Sequence, residues 1–274
     1  MLEWMRADPL EFFRFMLYRA PAVLLALTLH EISHGYVAYR CGDPTAKNMG
    51  RLSLNPLKHL SPIGTILMFT AGMGWAKPVP VNPNNFRRPR RDDFLVSVAG
   101  VTMNFFLFLI ATVLAVRVNE LLWDSDVFRL VSPYATRTDF LSFSGKNFWQ
   151  ILYSGENILT RIVNGVYWGV NAADFLRVPW LIHVQRFLYQ CMLCNLGMCL
   201  FNLLPFPPLD GFHVFNDIIL RGKLQLSAQA FRISMLALLV VMSMTNVFSK
   251  ALSFVIDAVQ SGVLRVVLAV FGLS

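Results

Sequence analysis

The sequence predicts an all-α protein: a polytopic bundle of transmembrane helices with a re-entrant segment and a short extended or hairpin element. Three observations carry this expectation. Hydrophobic residues make up 55% of the 274 and charged residues only 15%, with a mean hydropathy of +0.52, a balance outside that of an ordinary soluble domain. Several apolar windows approach the roughly 20 residues that a bilayer-spanning helix needs, and they are spread over the whole chain. Basic residues cluster beside particular windows, as the positive-inside rule requires of cytoplasmic loops. Residues 1–274 therefore read as a single integral membrane domain, multi-pass in the cell membrane.

Glu3, Asp8 and Glu11 interrupt the opening residues, so these do not read as a signal peptide. The first span is expected over 21–39, with Pro21 suited to a helix start and Arg40-Cys41-Gly42-Asp43-Pro44 ending it. Pro62 opens an apolar run too short to cross a bilayer, and Gly72-Met73-Gly74-Trp75-Ala76-Lys77-Pro78-Val79-Pro80-Val81 behind it excludes regular helix. A re-entrant element over 62–81, ending in extended backbone, accounts for both. Basic residues flank it, from Arg40 through Lys58 and at Arg87, Arg88, Arg90 and Arg91, which places this stretch on the cytoplasmic side. A second span follows over 94–116.

Residues 119–179 mix acidic and basic groups with three tryptophans, Trp180 following directly, and read as a non-cytoplasmic segment lying at the membrane interface. Further spans are expected over 182–204, which stops at Pro205-Phe206-Pro207-Pro208-Leu209-Asp210-Gly211, and over 231–248. The last apolar stretch, 251–273, contains Asp257 and Arg265 and reads either as a span or as a surface helix. The net charge of +8 suits loops facing anionic lipid, and no nucleic-acid-binding module is present, so nucleic acid is not an expected partner. Cys191, Cys194 and Cys199 fall in one apolar stretch, where cysteine acts as a small hydrophobe rather than a disulfide or redox pair.

In His30-Glu31-Ile32-Ser33-His34 the histidines are four positions apart, so a helix presents both on one face to a single ion. Catalytic zinc takes three protein ligands and an open position, which leaves Glu31 free as a general base. Ionisable groups inside a span are costly and rarely lack a function. The third ligand must lie at the same depth. Asp210 is the best candidate, because it follows a helix descending in the same direction as the first, and the prolines before it can turn it inward. Asp-Gly is otherwise a common turn. His59 and His213 are weaker candidates, better read as loop residues or partners of a ligand, and His183 as an interfacial residue.

Three blocks resemble the site-2 protease family of intramembrane metalloproteases: His30 to His34; Gly100-Val101-Thr102-Met103-Asn104; and Asn202 to Gly211. The resemblance implies a helical core in which one catalytic zinc is held by His30, His34 and Asp210, with Glu31 as base. Its substrate would be the transmembrane segment of a membrane protein. Asn104 would donate to the substrate backbone or the oxyanion, or simply bond between helices, and Gly100 would permit close packing. A peptide bond inside a helix is shielded until unwound, so the extended stretch from Gly74 to Val81 is expected to hold substrate by strand addition. A membrane metal transporter or sensor would use the same histidines and aspartate, and a different membrane zinc protease would share the first block. Glu31 disfavours the former and the Asp210 block the latter.

Overall fold

Asp8 and Pro9 start the first long helix. The Asp8 carboxylate accepts from the Glu11 N–H at 3.0 Å, capping it, and Pro9 needs no donor there. A computed structural model of the protein describes residues 2–70, 76–123, 161–163, 166–168, 176–224, 226–244 and 246–272. Among these, α1 is Leu2–Ala7, α2 Pro9–Cys41, α3 Thr45–Asn48, α4 Pro62–Thr70, α5 Pro89–Leu122, α6 Leu181–Asn202, α7 Asp210–Ile218, α8 Ala228–Met244 and α9 Asn246–Val270. The fold is the all-α one expected. A single antiparallel pair, β1 (Arg161–Val163) with β2 (Val166–Trp168), interrupts it.

The expected start at Pro21 is corrected: α2 extends back to Pro9 and carries Pro21 inside. A helix interior tolerates proline where neighbouring groups absorb the lost backbone bond. Helices α2 and α5 have 33 and 34 residues, about 50 Å each at 1.5 Å per residue, against a hydrocarbon core of about 30 Å. These two and the Lys250–Val270 part of α9 are long and apolar enough to cross a membrane. Helix α6 is long enough but buries Gln185, Arg186, Gln190 and Asn195, and α8 has only 17 residues, ending at Met244.

Helix α4 spans nine residues, roughly 14 Å, too short to cross. The chain returns to where it left: Leu60 bridges Ala76 antiparallel, and the Lys77 N–H donates to the His59 carbonyl at 2.7 Å. These two contacts bracket the stretch read as re-entrant; Gly72, Gly74 and Trp75 lie outside the described residues.

The chain divides into two units. One comprises Val23–Phe108 and Leu193–Asp257, the other Leu2–Ala22, Leu109–Met192 and Ala258–Ser274. In the second, Tyr18 and His183 share a 2.7 Å hydrogen bond, and the Arg117 guanidinium stands 3.7 Å over the Phe271 ring. In the first, Ala38, Cys41, Phe86 and Val96 form an apolar cluster joined by Val81. That cluster fixes Val81, at the end of the extended segment from Ala76 to Val81, against the ends of α2 and α5. Asp43 anchors the turn that follows, accepting from the Asn82 N–H and the Asn85 amide, each at 2.7 Å.

Candidate metal centre

Helix α2 sends two imidazoles from one face. The rings of His30 and His34 are 4.6 Å apart at 81°, with their Nε2 atoms 3.0 Å from each other. The first residue of α7 completes the group: Asp210 Oδ2 lies 3.2 Å from His30 Nε2 and 3.3 Å from His34 Nε2. Among the described residues, no other three His, Cys, Asp or Glu side chains converge in this way.

Ligands about 2.0–2.1 Å from a tetrahedral zinc stand roughly 3.3–3.4 Å from one another. A triangle with edges of 3.0, 3.2 and 3.3 Å is close to one face of that tetrahedron. Asp210 Oδ2 is buried yet receives no hydrogen bond of acceptable geometry, although two ring nitrogens stand beside it. Buried carboxylate oxygens are ordinarily satisfied, and a shared cation would satisfy this one. The donor set, two imidazoles and a carboxylate, suits zinc, and the cluster is not sealed, since the His34 and Asp210 side chains remain 12% and 22% exposed.

Helix α5 runs past these rings with Val96, Gly100 and Asn104 on successive turns. His34 Nδ1 lies 2.7 Å from the Val96 carbonyl. A carbonyl only accepts, so Nδ1 carries a proton, and in the neutral ring Nε2 then keeps its lone pair for a metal. Gly100 sits between: a Cβ there would stand 2.4 Å from His34 Nε2 and 2.6 Å from His30 Cε1. Asn104, wholly buried, places its amide 3.2 Å from His30 Nδ1. Gly211 plays a similar part for Asp210, because a Cβ there would meet the Leu203 carbonyl oxygen at 2.3 Å. Only glycine lets the start of α7 approach the end of α6 this closely.

Glu31 sits beside the pair and its Oε2 accepts from the Val79 N–H at 2.7 Å. The general-base candidate is thereby tied to the extended strand. Nothing in the residue types announced this contact, since a backbone N–H carries no side-chain signature; the Val96 carbonyl escaped the sequence for the same reason.

The remaining histidines lie elsewhere. His59 is buried with Nε2 2.8 Å from the Ser53 carbonyl. His213 faces Asp93 at 3.4 Å and stacks on Phe231, and His183 is paired with Tyr18. Cys191, Cys194 and Cys199 are buried and form no disulfide.

Residues 18–244 match the sequence profile of peptidase family M50. Over 256 residues, 93% of each chain, the sequence is 32% identical to a Bacillus subtilis (strain 168) protein named "Putative zinc metalloprotease YwhC". It is 28% identical over 131 residues to "Putative zinc metalloprotease Rip2" of Mycolicibacterium smegmatis, covering 45% of this chain and 49% of that one. No solved structure gives a significant match.

Proposed function

Since the chain belongs to peptidase family M50, the site-2 protease family of membrane-embedded zinc metalloproteases, we propose that it cuts a peptide bond within or near the transmembrane segment of a membrane-protein substrate. It is an enzyme rather than the metal transporter or sensor that the same side chains would suit. In this reading residues 1–274 form one multi-pass domain of the cell membrane. His30, His34 and Asp210 hold a single catalytic zinc, and Glu31 is the general base. The observation that carries the assignment is the three-atom triangle with edges of 3.0 to 3.3 Å, next to the Glu31 carboxylate, which stands outside the triangle and is held by the Val79 N–H.

Bound zinc supplies a Lewis acid that acidifies water and steadies charge developing on the peptide oxygen. The chain's own residues do the rest. Glu31 takes the proton of the attacking water and returns it to the leaving nitrogen. The Val79 N–H, 2.7 Å away, holds that carboxylate in place.

The strand from Ala76 to Val81 is suited to keeping substrate extended. Its Lys77 N–H and carbonyl are used by His59 and Arg51, the Val79 N–H by Glu31, and Pro78 and Pro80 have none to give. The Val79 carbonyl and the Val81 N–H have no hydrogen-bond partner among the described residues. They are the groups an added strand would use. Substrate bound there would lie against the same residue that positions the base.

Glu31→Gln tests the reading. Cleavage of a membrane-spanning substrate in reconstituted vesicles should fall by about 10²–10⁴-fold, the usual worth of a general base, while zinc content stays that of the parent. Undiminished cleavage would sink the assignment.

A further inference from the structure

We infer that Asn104 is a positioning residue that sets the tautomer of His30, accepting the Nδ1 proton so that Nε2 is left for the metal. The inference rests on the ligand assignment above and goes beyond it in giving Asn104 a task on the ligand rather than on the substrate.

The two imidazoles pose the same problem and meet it differently. A histidine binds a metal through one nitrogen only when the other keeps the proton, and that proton needs an acceptor. His34 has one in the Val96 carbonyl, 2.7 Å from Nδ1. For His30 the group facing Nδ1 is the Asn104 amide, at 3.2 Å, one turn beyond Gly100 along α5. The amide nitrogen is the nearer atom, and the amide oxygen is buried with no hydrogen-bond partner. An orphaned buried amide oxygen is costly.

One rearrangement satisfies both groups. Turning the amide over exchanges two atoms of nearly equal size, brings Oδ1 to His30 Nδ1–H, and ends its isolation. With the nitrogen facing the ring, Nδ1 must accept and the proton moves to Nε2, the atom 3.0 Å from His34 Nε2 and 3.2 Å from Asp210. That arrangement blocks a metal. With the oxygen facing the ring, His30 matches His34. An amide can do either, so the orientation of Asn104 follows the occupancy of the site.

Because Asn104 is wholly buried, its effect reaches the reaction through His30. The test uses full-length protein in detergent, with zinc affinity measured by chelator competition and the visible spectrum of the cobalt-substituted form. Asn104→Asp keeps an acceptor at this position and should retain zinc within a few-fold together with the parent's cobalt spectrum. Asn104→Leu keeps the size but offers no acceptor, and should weaken zinc by about 10–100-fold, the range for losing a hydrogen-bond partner of a ligand.

A Leu variant that binds zinc as tightly as the parent but cleaves poorly would overturn the inference and return Asn104 to the substrate. If the Leu variant does not fold, Asn104→Asp decides alone: zinc held supports the inference, and zinc lost contradicts it. Asp210→Ala measured alongside separates the two levels. If it too keeps parental affinity, the ligand assignment itself has failed and this inference falls with it.

Discussion

At the start of α7, Asp210 meets His30 and His34; one to two turns further along the same helix, His213 and Asp217 gather with Asp93. The two groups use the same residue types and both draw on α5. In the first, the other nitrogen of each imidazole faces a partner on α5, and three remaining ligand atoms turn toward one point. In the second, His213 Nδ1 faces Asp93 at 3.4 Å and the ring stacks on Phe231, so the cluster offers no convergent set. Its acids interact through protons instead. Burial first, then the Asp93 carboxylate, push Asp217 up to about 6, with His213 opposing. Composition alone does not make a metal site. What separates the two is whether three ligand atoms turn toward one point.

The contrast can be broken most severely at Gly100. Gly100→Ala would place a methyl 2.4 Å from His34 Nε2 and 2.6 Å from His30 Cε1, displacing both rings. Zinc affinity should fall by at least about 10–100-fold, taking cleavage with it, as measured by metal analysis after chelator challenge. A variant that keeps its zinc would show that the rings have other room.

Next is the tie between base and strand. Val79→Pro removes the N–H that Glu31 accepts while leaving the ligands untouched. A hydrogen bond to a charged group is worth about 1.5–3 kcal/mol, so kcat should drop by about 10–100-fold with zinc content unchanged. Loss of zinc would mean that the strand supports the metal site rather than the base.

The smallest effect belongs to the second cluster. Between about 3.8, its ordinary value, and about 6 the folded protein holds a proton at Asp217 that the unfolded chain has released. Stability therefore falls as pH rises through that window, and the penalty is complete above it. Asp217→Asn removes the penalty without touching zinc. Its melting temperature should exceed the parent's at pH 7 and converge with it toward pH 4; a difference independent of pH would contradict this.

Much of the site was legible because it depends on side-chain type and period. His30 and His34 share a face by their spacing, and the prolines before Asp210 mark the break that turns it inward. The sequence offers two prolines that resemble the start of α2, Pro21 and Pro9, and only Asp8-Pro9 supplies both the cap and the first-turn proline. The β1–β2 pair carries its own sequence signal: the dipeptide Asn164-Gly165, a type favoured in tight hairpin turns, flanked by Ile162-Val163 and Val166-Tyr167-Trp168. His213 shares a helix face with Asp210 by its three-residue spacing, yet its ring is taken by Asp93 and Phe231, partners that short-range spacing does not reveal. The Val79 and Val96 contacts are made by backbone, which any residue supplies.

The most direct measurement is zinc K-edge absorption on the purified full-length protein. One zinc per chain, coordinated by two imidazole nitrogens and light oxygen donors with no sulfur, is the predicted result. A sulfur ligand, or a site that keeps both its zinc and its spectrum in Asp210→Ala, would contradict the assignment of His30, His34 and Asp210.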